Sequence, residues 1–433
     1  MKNKSLTVVL FVIILLSAAL FIFTRSDNPP VPDGTDLYGS NQSVTATSDS
    51  ASDSFFGKPS SGEEPKTSTV SGAASTEYEP VFPVNIGSEG IRQPVTLHYL
   101  VPEELRETYA TILDSLEKYE NEINFSKPVN EDLFLRSIIL VRDLNPDLFF
   151  IDWSLYNYKA TPDDNVTQVS FTFFYDDVPS KAETFKNKVN EIVSRANSYP
   201  NLFERELFVH DYLVNNTVYL VDNADTGTAY GALINNKARC EGYARAFQLL
   251  MLRLGIPAYS VIGTAENERH MWNAVELYGK NYFVDVTFDD NSSENTLTSF
   301  TESEIGHSCF NIPNEVLTKT HSISGSGSRD KYGAYQNLIL PECSSYEFNY
   351  YRIRGLTAEN SEQFKYLLEK NASQKRVCVF FKGEMPTSEK LQSDFNDFFE
   401  KLYPSSGYSI YYTPSTSPVF QRNVYEIRWT TTN

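Results

Sequence analysis

The chain has 433 residues, a formal net charge of −19 and a pI of about 4.8. Acidic residues outnumber Lys and Arg by 56 to 37, which argues against a nucleic-acid binder, because phosphate binding needs clustered cations. Four cysteines are too few for a disulfide scaffold. No Cys-x-x-Cys, His-Glu-x-x-His, phosphate-binding glycine loop or dinucleotide fingerprint is present, so neither a metal nor a cofactor is expected.

Lys2 and Lys4 precede an uncharged run over 6–23, about long enough to span a bilayer, and Asp27, Asp33 and Asp36 follow it. The pattern predicts that residues 1–24 are a single-pass anchor in the cell membrane, with a cytoplasmic N-terminus and everything after it extracytoplasmic. A cleaved signal peptide competes, since Ser17-Ala18-Ala19 offers small residues, but the apolar run is longer than a typical signal core. Residues 25–80 are rich in Ser, Thr, Gly, Pro and Asp. They cannot bury enough surface to offset their ordering entropy and read as a disordered linker.

Residues 81–200 predict an N-terminal α/β accessory domain: a strand over 95–101, helices over 103–122 and 131–144, strands over 148–158 and 166–175, and a helix over 180–196. No catalytic set stands out there. A second unit spans 201–330. His210, in its first helix, reads as a packed histidine bonded to Asp211 or to backbone rather than as a catalytic group. Tyr243, Phe247, Leu250, Met251 and Leu254 then form an apolar stripe at helical spacing. Gly255-Ile256-Pro257 ends that helix, and Cys240 falls in its first turn.

A helix N-terminus favours negative charge, so a thiol placed there is poised to react as its thiolate. The bland reading, an inert buried cysteine, is commoner for a cysteine taken alone. Two alternating segments follow, 271–276 and 282–287, with Tyr278-Gly279 between them, and read as a β-hairpin. If those two residues form the turn, 277 pairs with 280, and His270 shares a face with Asp285 as its diagonal neighbour. An Asp285–His270 pair would fix the imidazole tautomer, and His270 would take the thiol proton. Taken separately, His270 reads as a half-buried strand histidine and Asp285 as a strand-end cap.

Cys-x-Gly-Tyr-Ala at 240–244, Gly-Ile-Pro at 255–257, His-x-Trp-Asn at 270–273 and Val-Asp-x-Thr at 284–287 resemble the transglutaminase-like superfamily, relatives of the papain-type cysteine proteases. Met271 departs from the alanine of many members. The resemblance implies an α+β fold in which a helix carrying the cysteine packs on an antiparallel sheet carrying the histidine and aspartate. It implies Cys240 as nucleophile, His270 as base and Asp285 as orienter. Tyr230 is the oxyanion candidate by analogy; Gly242 and Trp272 are substrate-binding candidates. The implied reaction is acyl transfer through a Cys240 thioester from a protein or peptide amide, cell-wall peptides included, to an amine or water. The alternative is a non-catalytic surface binding or assembly module on the same fold.

Asp289-Asp290-Asn291-Ser292-Ser293-Glu294 reads as a solvated loop, since it lacks the spacing of a calcium site. His307 and His321 fit no metal template. Residues 345–433 predict a small α/β domain with helices over 358–368 and 388–402 and strands over 376–381, 408–412 and 424–429.

Overall fold

The computed structural model describes residues 83–432 apart from 223, 291–299, 303–304, 324–339, 375, 383–385, 403–406 and 413–423. The expected anchor (1–24) and linker (25–80) lie outside the described residues. Among the described residues no helix is long and apolar enough to cross a membrane. The expectation of a single-pass cell-membrane protein with an extracytoplasmic catalytic part is corrected on that finding.

The chain begins its first sheet after helix α1 (Arg106–Glu117), with strands β1 (Glu122–Asn130), β2 (Ile151–Ala160) and β3 (Asn165–Phe173). They lie in the order β1-β3-β2, and both pairings are antiparallel. Helix α2 (Glu131–Leu144) lies between β1 and β2 in sequence; Asn130 caps it by accepting from the Asp132 N–H at 3.0 Å. Helix α3 (Val178–Ala196) leads into α4 (Leu202–Asn216). A short parallel pair, β4 (Val218–Tyr219) and β5 (Lys237–Ala238), brackets α5 (Ala229–Leu233) and delivers the chain to α6 (Cys240–Arg253).

The second sheet has the order β8-β7-β6-β9 and is antiparallel throughout, built from β6 (Ala258–Ala265), β7 (Glu268–Leu277), β8 (Lys280–Val284) and β9 (His321–Ile323). A one-turn helix α7 (Val286–Asp289) follows β8, and α8 (Asn314–Leu317) precedes β9. The β7–β8 turn has the backbone its sequence requires: Tyr278 and Gly279 both have positive φ, +52° and +75°, the signature of a two-residue turn matched to strand twist. Leu277 accordingly faces Lys280.

The segment 95–101, expected as a strand, is an extended loop ending in a single 3₁₀ turn (His98–Leu100). Its polar backbone is used elsewhere: the Val95 N–H donates to the Leu252 carbonyl near the end of α6, at 2.9 Å. β1, not expected as a strand, is the edge of its sheet. Its pairing with β3 breaks between Asn124 and Val129, around Pro128, which is where a proline is tolerated in a sheet.

One hydrophobic cluster runs from Leu97 to Val424 and includes side chains of α1 to α6 and of the second sheet. α6 sits within it: Tyr243, Phe247, Leu250, Met251 and Leu254 are fully buried. A second cluster, with Phe364, Val379, Phe395 and Phe399, forms the core of the C-terminal part. There α9 (Tyr350–Ile353), α10 (Ser361–Lys370) and α11 (Ser388–Leu402) accompany a sheet of order β10-β11-β13-β12, made of β10 (Thr357–Ala358), β11 (Arg376–Phe381), β12 (Gly407–Tyr412) and β13 (Val424–Thr432).

Candidate active site

Cys240 is the first residue of α6, and Arg239 is the N-cap with no side-chain cap. The sulfur is half-buried. The helix ends at Gly255, whose φ of +75° suits only glycine comfortably; the Ile256 N–H closes the turn on Met251 O at 2.9 Å. Asn273, on β7, donates to the Ala244 carbonyl of α6 at 3.0 Å and to Tyr259 O at 3.3 Å. That side chain ties the helix carrying Cys240 to the strand carrying His270.

His270 Nε2 faces Asp285 Oδ2 at 2.7 Å, which leaves Nδ1 for Cys240, a second hydrogen-bonding partner of the ring. Desolvation lowers the affinity of the buried imidazole for a proton. The Asp285 charge and hydrogen bond, with smaller help from Cys240, outweigh that and raise its pKa to about 10. Burial pushes the Asp285 carboxyl up, but the two imidazoles beside it hold it well below the usual carboxylate range. At neutral pH the pair is imidazolium and carboxylate.

Asp285 has further contacts, among them the Asp289 N–H, which donates to its carbonyl at 3.3 Å. Its Oδ1 caps α7, accepting from the Phe288 N–H at 3.1 Å. Its backbone N–H donates to Cys309 O at 3.0 Å. Its Oδ2 also meets His321 Nε2 at 2.9 Å, and His321 Nδ1 meets the Thr320 hydroxyl at 2.7 Å. His321 was not singled out for this role from the sequence. It arrives on β9 by pairing with β6, and long-range pairing leaves no local signal.

Residues 187–287 match the family model of the transglutaminase-like superfamily. This segment is a transglutaminase-like domain. The crystal structure of a TGase is 15% identical to the chain, over 34% of this chain and 48% of its own, with a TM-score of 0.23. A proposed cysteine protease from Cytophaga hutchinsonii is 15% identical over 31% of this chain and 61% of its own, with a TM-score of 0.22. The crystal structure of menin, which reveals the binding site for the Mixed Lineage Leukemia protein, is 13% identical over 76% of this chain and 60% of its own, with a TM-score of 0.23. The chain thus spans about half to three fifths of these structures. No curated protein matches the chain.

Within the transglutaminase-like domain the remaining candidate residues are placed as follows. Tyr230, on α5, is buried in an aromatic cluster, its ring stacked on Phe149 at 4.6 Å and tilted against Tyr175 and Phe185. Gly242 faces its own chain: a Cβ there would come within 2.4 Å of Thr226 O and 3.0 Å of Thr228 O. That close approach accounts for the glycine without a substrate. Trp272 is buried, its ring stacked on His270 at 6.0 Å and set edge-on to His321 at 5.0 Å. Its Nε1 is buried without a hydrogen-bond partner.

A second buried group lies on α4. His210 Nδ1 meets Asp211 Oδ1 at 2.9 Å, and His307 Nε2 meets the same oxygen at 2.9 Å. His210 Nε2 stands 3.4 Å from Asp289 Oδ2. Asp289, expected in a solvated loop, is buried and accepts from the Cys309 N–H at 3.0 Å and the Ser308 hydroxyl at 2.8 Å. Residues 291–294 of that loop lie outside the described residues. Both His210-Asp211-His307 and His270-Asp285-His321 have their ligand atoms within 4.8 Å of one another, close enough to hold a cation. None of the four cysteines, all among the described residues, is in a disulfide.

One prediction follows from the shared carboxylate. His321→Ala removes one buried donor from Asp285 Oδ2, a loss of about 1–3 kcal/mol, which lowers kcat roughly 10–100-fold where it is felt in the transition state. It also displaces the pH profile, whereas His321→Gln, which keeps a donor, restores part of the rate. An unchanged profile in the alanine variant would assign His321 to fold stability alone.

Proposed function

We propose that the chain is a cysteine acyltransferase or amidase acting on a protein or peptide amide, with Cys240 as nucleophile, His270 as acid and base, and Asp285 as orienter. The observation that carries this reading is the run of hydrogen bonds from Cys240 through His270 to Asp285, with the sulfur on the first residue of a buried helix. The sulfur, as thiolate, adds to the amide carbonyl, and the Cys240 backbone N–H at the helix start is the natural donor to the resulting oxyanion. The carbon–nitrogen bond then breaks, and the His270 imidazolium gives its proton to the departing amine. A thioester remains. An incoming amine or water loses a proton to His270 and attacks, and the sulfur leaves as thiolate. An amine acceptor gives crosslinking; water gives deamidation or cleavage.

The test is mass spectrometry of Cys240 after incubation with a glutamine-containing peptide library, with and without a primary amine. An acyl adduct on Cys240 that the amine discharges, absent in Cys240→Ala, is the expected result. No adduct under either condition, from a chain whose Cys240 alkylates like an ordinary free thiol, would remove the reading.

The charge state of His270 sets a pH dependence. The imidazolium is present below about 10 and lost above it, so acylation by an amide falls as the pH rises through that value, while alkylation by iodoacetamide, which needs only thiolate, does not fall. The same raised pKa makes the ion pair with Asp285 a source of stability fully present below the ordinary imidazole value of about 6.5 and lost as the pH passes about 10. Thermal melts across that range measure the second effect, and rate profiles the first.

A further inference from the structure

Glu206 lies on α4, one turn before His210, and is fully buried. Its side chain meets Asn311, which is fully buried too, and the Asn311 Nδ2 donates to Glu206 Oε2 at 2.9 Å. The other oxygen of each group, Glu206 Oε1 and Asn311 Oδ1, is buried without a hydrogen-bond partner. With Glu206 ionised, both of these atoms are acceptors and neither can serve the other. Polar atoms left dry and unpaired are costly, and an unpaired buried charge more so. A protonated carboxyl is a donor as well as an acceptor.

Asn311 belongs to the segment 307–312, which buried groups fasten to the core. His307 Nε2 meets Asp211 Oδ1, and the Ser308 hydroxyl and the Cys309 N–H donate to Asp289. Ile312 pairs with Phe283 of β8 in both directions, at 2.9 and 3.0 Å. Between these points the Cys309 carbonyl takes the backbone N–H of Asp285. The segment is thus a strap that bears part of the support of Asp285, and the Glu206–Asn311 contact holds it two residues further on. Burial pushes the Glu206 carboxyl up to about 8, outweighing the Asn311 hydrogen bond and the His210 charge, which act the other way. From β8, the Tyr282 hydroxyl lies within reach of its charge. The Arg205 guanidinium donates to the carbonyls of Tyr199, Gly90 and Glu89, and Asp211 and Asp289 lie against His210 at 2.9 and 3.4 Å.

We propose that Glu206 keeps its proton at neutral pH and donates it to Asn311 Oδ1, closing carboxyl and amide into a ring of two hydrogen bonds, and that loss of this proton loosens the strap behind Asp285 as the solution turns alkaline. The effect on the reaction rests on Cys240 being the nucleophile; the proton does not. Glu206→Gln in the full chain is the test, since an amide offers an N–H to Asn311 Oδ1 and an oxygen to Nδ2 at any pH. Infrared difference spectra of the native protein show the carbonyl stretch of a protonated carboxyl that fades through about pH 8, and the variant lacks it. The carboxyl ionises near 4.5 when unfolded and near 8 when folded, so the stability its proton supplies is complete below the first value and lost as the pH rises to the second. Over that window the folding equilibrium constant of the native protein falls by roughly up to tenfold per pH unit relative to the variant, and the gap is constant above it. Beyond pH 8, hydrogen exchange in 307–312 quickens in the native protein relative to the variant, and native acylation by an amide begins to fall ahead of the His270 limb. A variant that fails to fold, or that loses stability with pH as steeply as the native protein, overturns the proposal, as does a native protein without the carboxyl band at neutral pH. Equal exchange in the two proteins overturns the loosening of the strap. Absence of acylation in both removes Cys240 as nucleophile and leaves the spectra, stability and exchange to decide the proton and the strap.

Discussion

Asp285→Asn lowers acyl transfer by about 10³–10⁴-fold, the scale seen when a triad carboxylate becomes an amide and the imidazole loses its tautomer and its charge partner. The geometry gives the reason. Oδ2 of Asp285 lies 2.7 Å from His270 and 2.9 Å from His321, and the carboxylate is the charge that outweighs burial in raising the His270 pKa to about 10. An asparagine either turns its oxygen to the two rings, without the charge, or presents an NH₂ to two nitrogens that also want to donate. The alkaline limb of the rate profile moves down with the His270 pKa, and the rate collapses at every pH. Asparagine has one oxygen, so the α7 cap at the Phe288 N–H survives when the NH₂ faces the rings and is lost, at about 1 kcal/mol, when the oxygen does. The variant therefore folds, and stopped-flow measurement of thioester formation isolates the chemical loss. A variant with full activity would remove Asp285 from the mechanism.

Gly263→Ala has the largest expected effect on stability. Gly263 faces His270 on β7 and Ile323 on β9. A Cβ there would come within 2.1 Å of Ser322 O and 2.6 Å of the Trp272 ring. Backbone and an interior indole cannot yield as a surface side chain does, so the added methyl costs about 1–3 kcal/mol or more and pushes β9 outward. His321 leaves with β9, so activity falls beyond what lost stability explains. Gly279→Ala is the matched control: its Cβ meets nothing within 4 Å, but φ is +75°. That strain costs about 1 kcal/mol at a turn remote from Trp272. Thermal melts with single-turnover rates separate the two variants. A Gly263→Ala protein as stable as the native one would mean that β9 shifts at no cost.

The site was unevenly legible in the sequence. The apolar stripe of α6 and the turn at Tyr278-Gly279 are local signals, and the register they imply, Leu277 opposite Lys280, is the one observed. The reading of Asp285 as a strand-end cap and its reading as a partner of His270 looked like alternatives. The two oxygens take one task each. His321 was invisible because it reaches Asp285 through the pairing of β9 with β6, which no spacing announces. Gly242 and Tyr230 were candidates for their place beside the motif, and their surroundings were not legible there: the glycine lies against the backbone of Thr226 and Thr228, and the tyrosine packs in an aromatic cluster. The strand expected over 95–101 failed because alternation shows which side chains are buried, and says nothing of where the backbone finds its partners.

The family match begins at residue 187, yet the helix bearing Cys240 is finished by chain far upstream of that point. Val95 closes on Leu252, and Gly255 lies against the Gln93 backbone, where a Cβ would come within 2.5 Å. A fragment trimmed to the matched segment would lose that wrapping and uncover apolar surface along the back of the helix. Expression vectors cut at the boundary of recognisable homology should therefore give aggregates, and a usable truncation has to keep the segment that carries Gln93 and Val95.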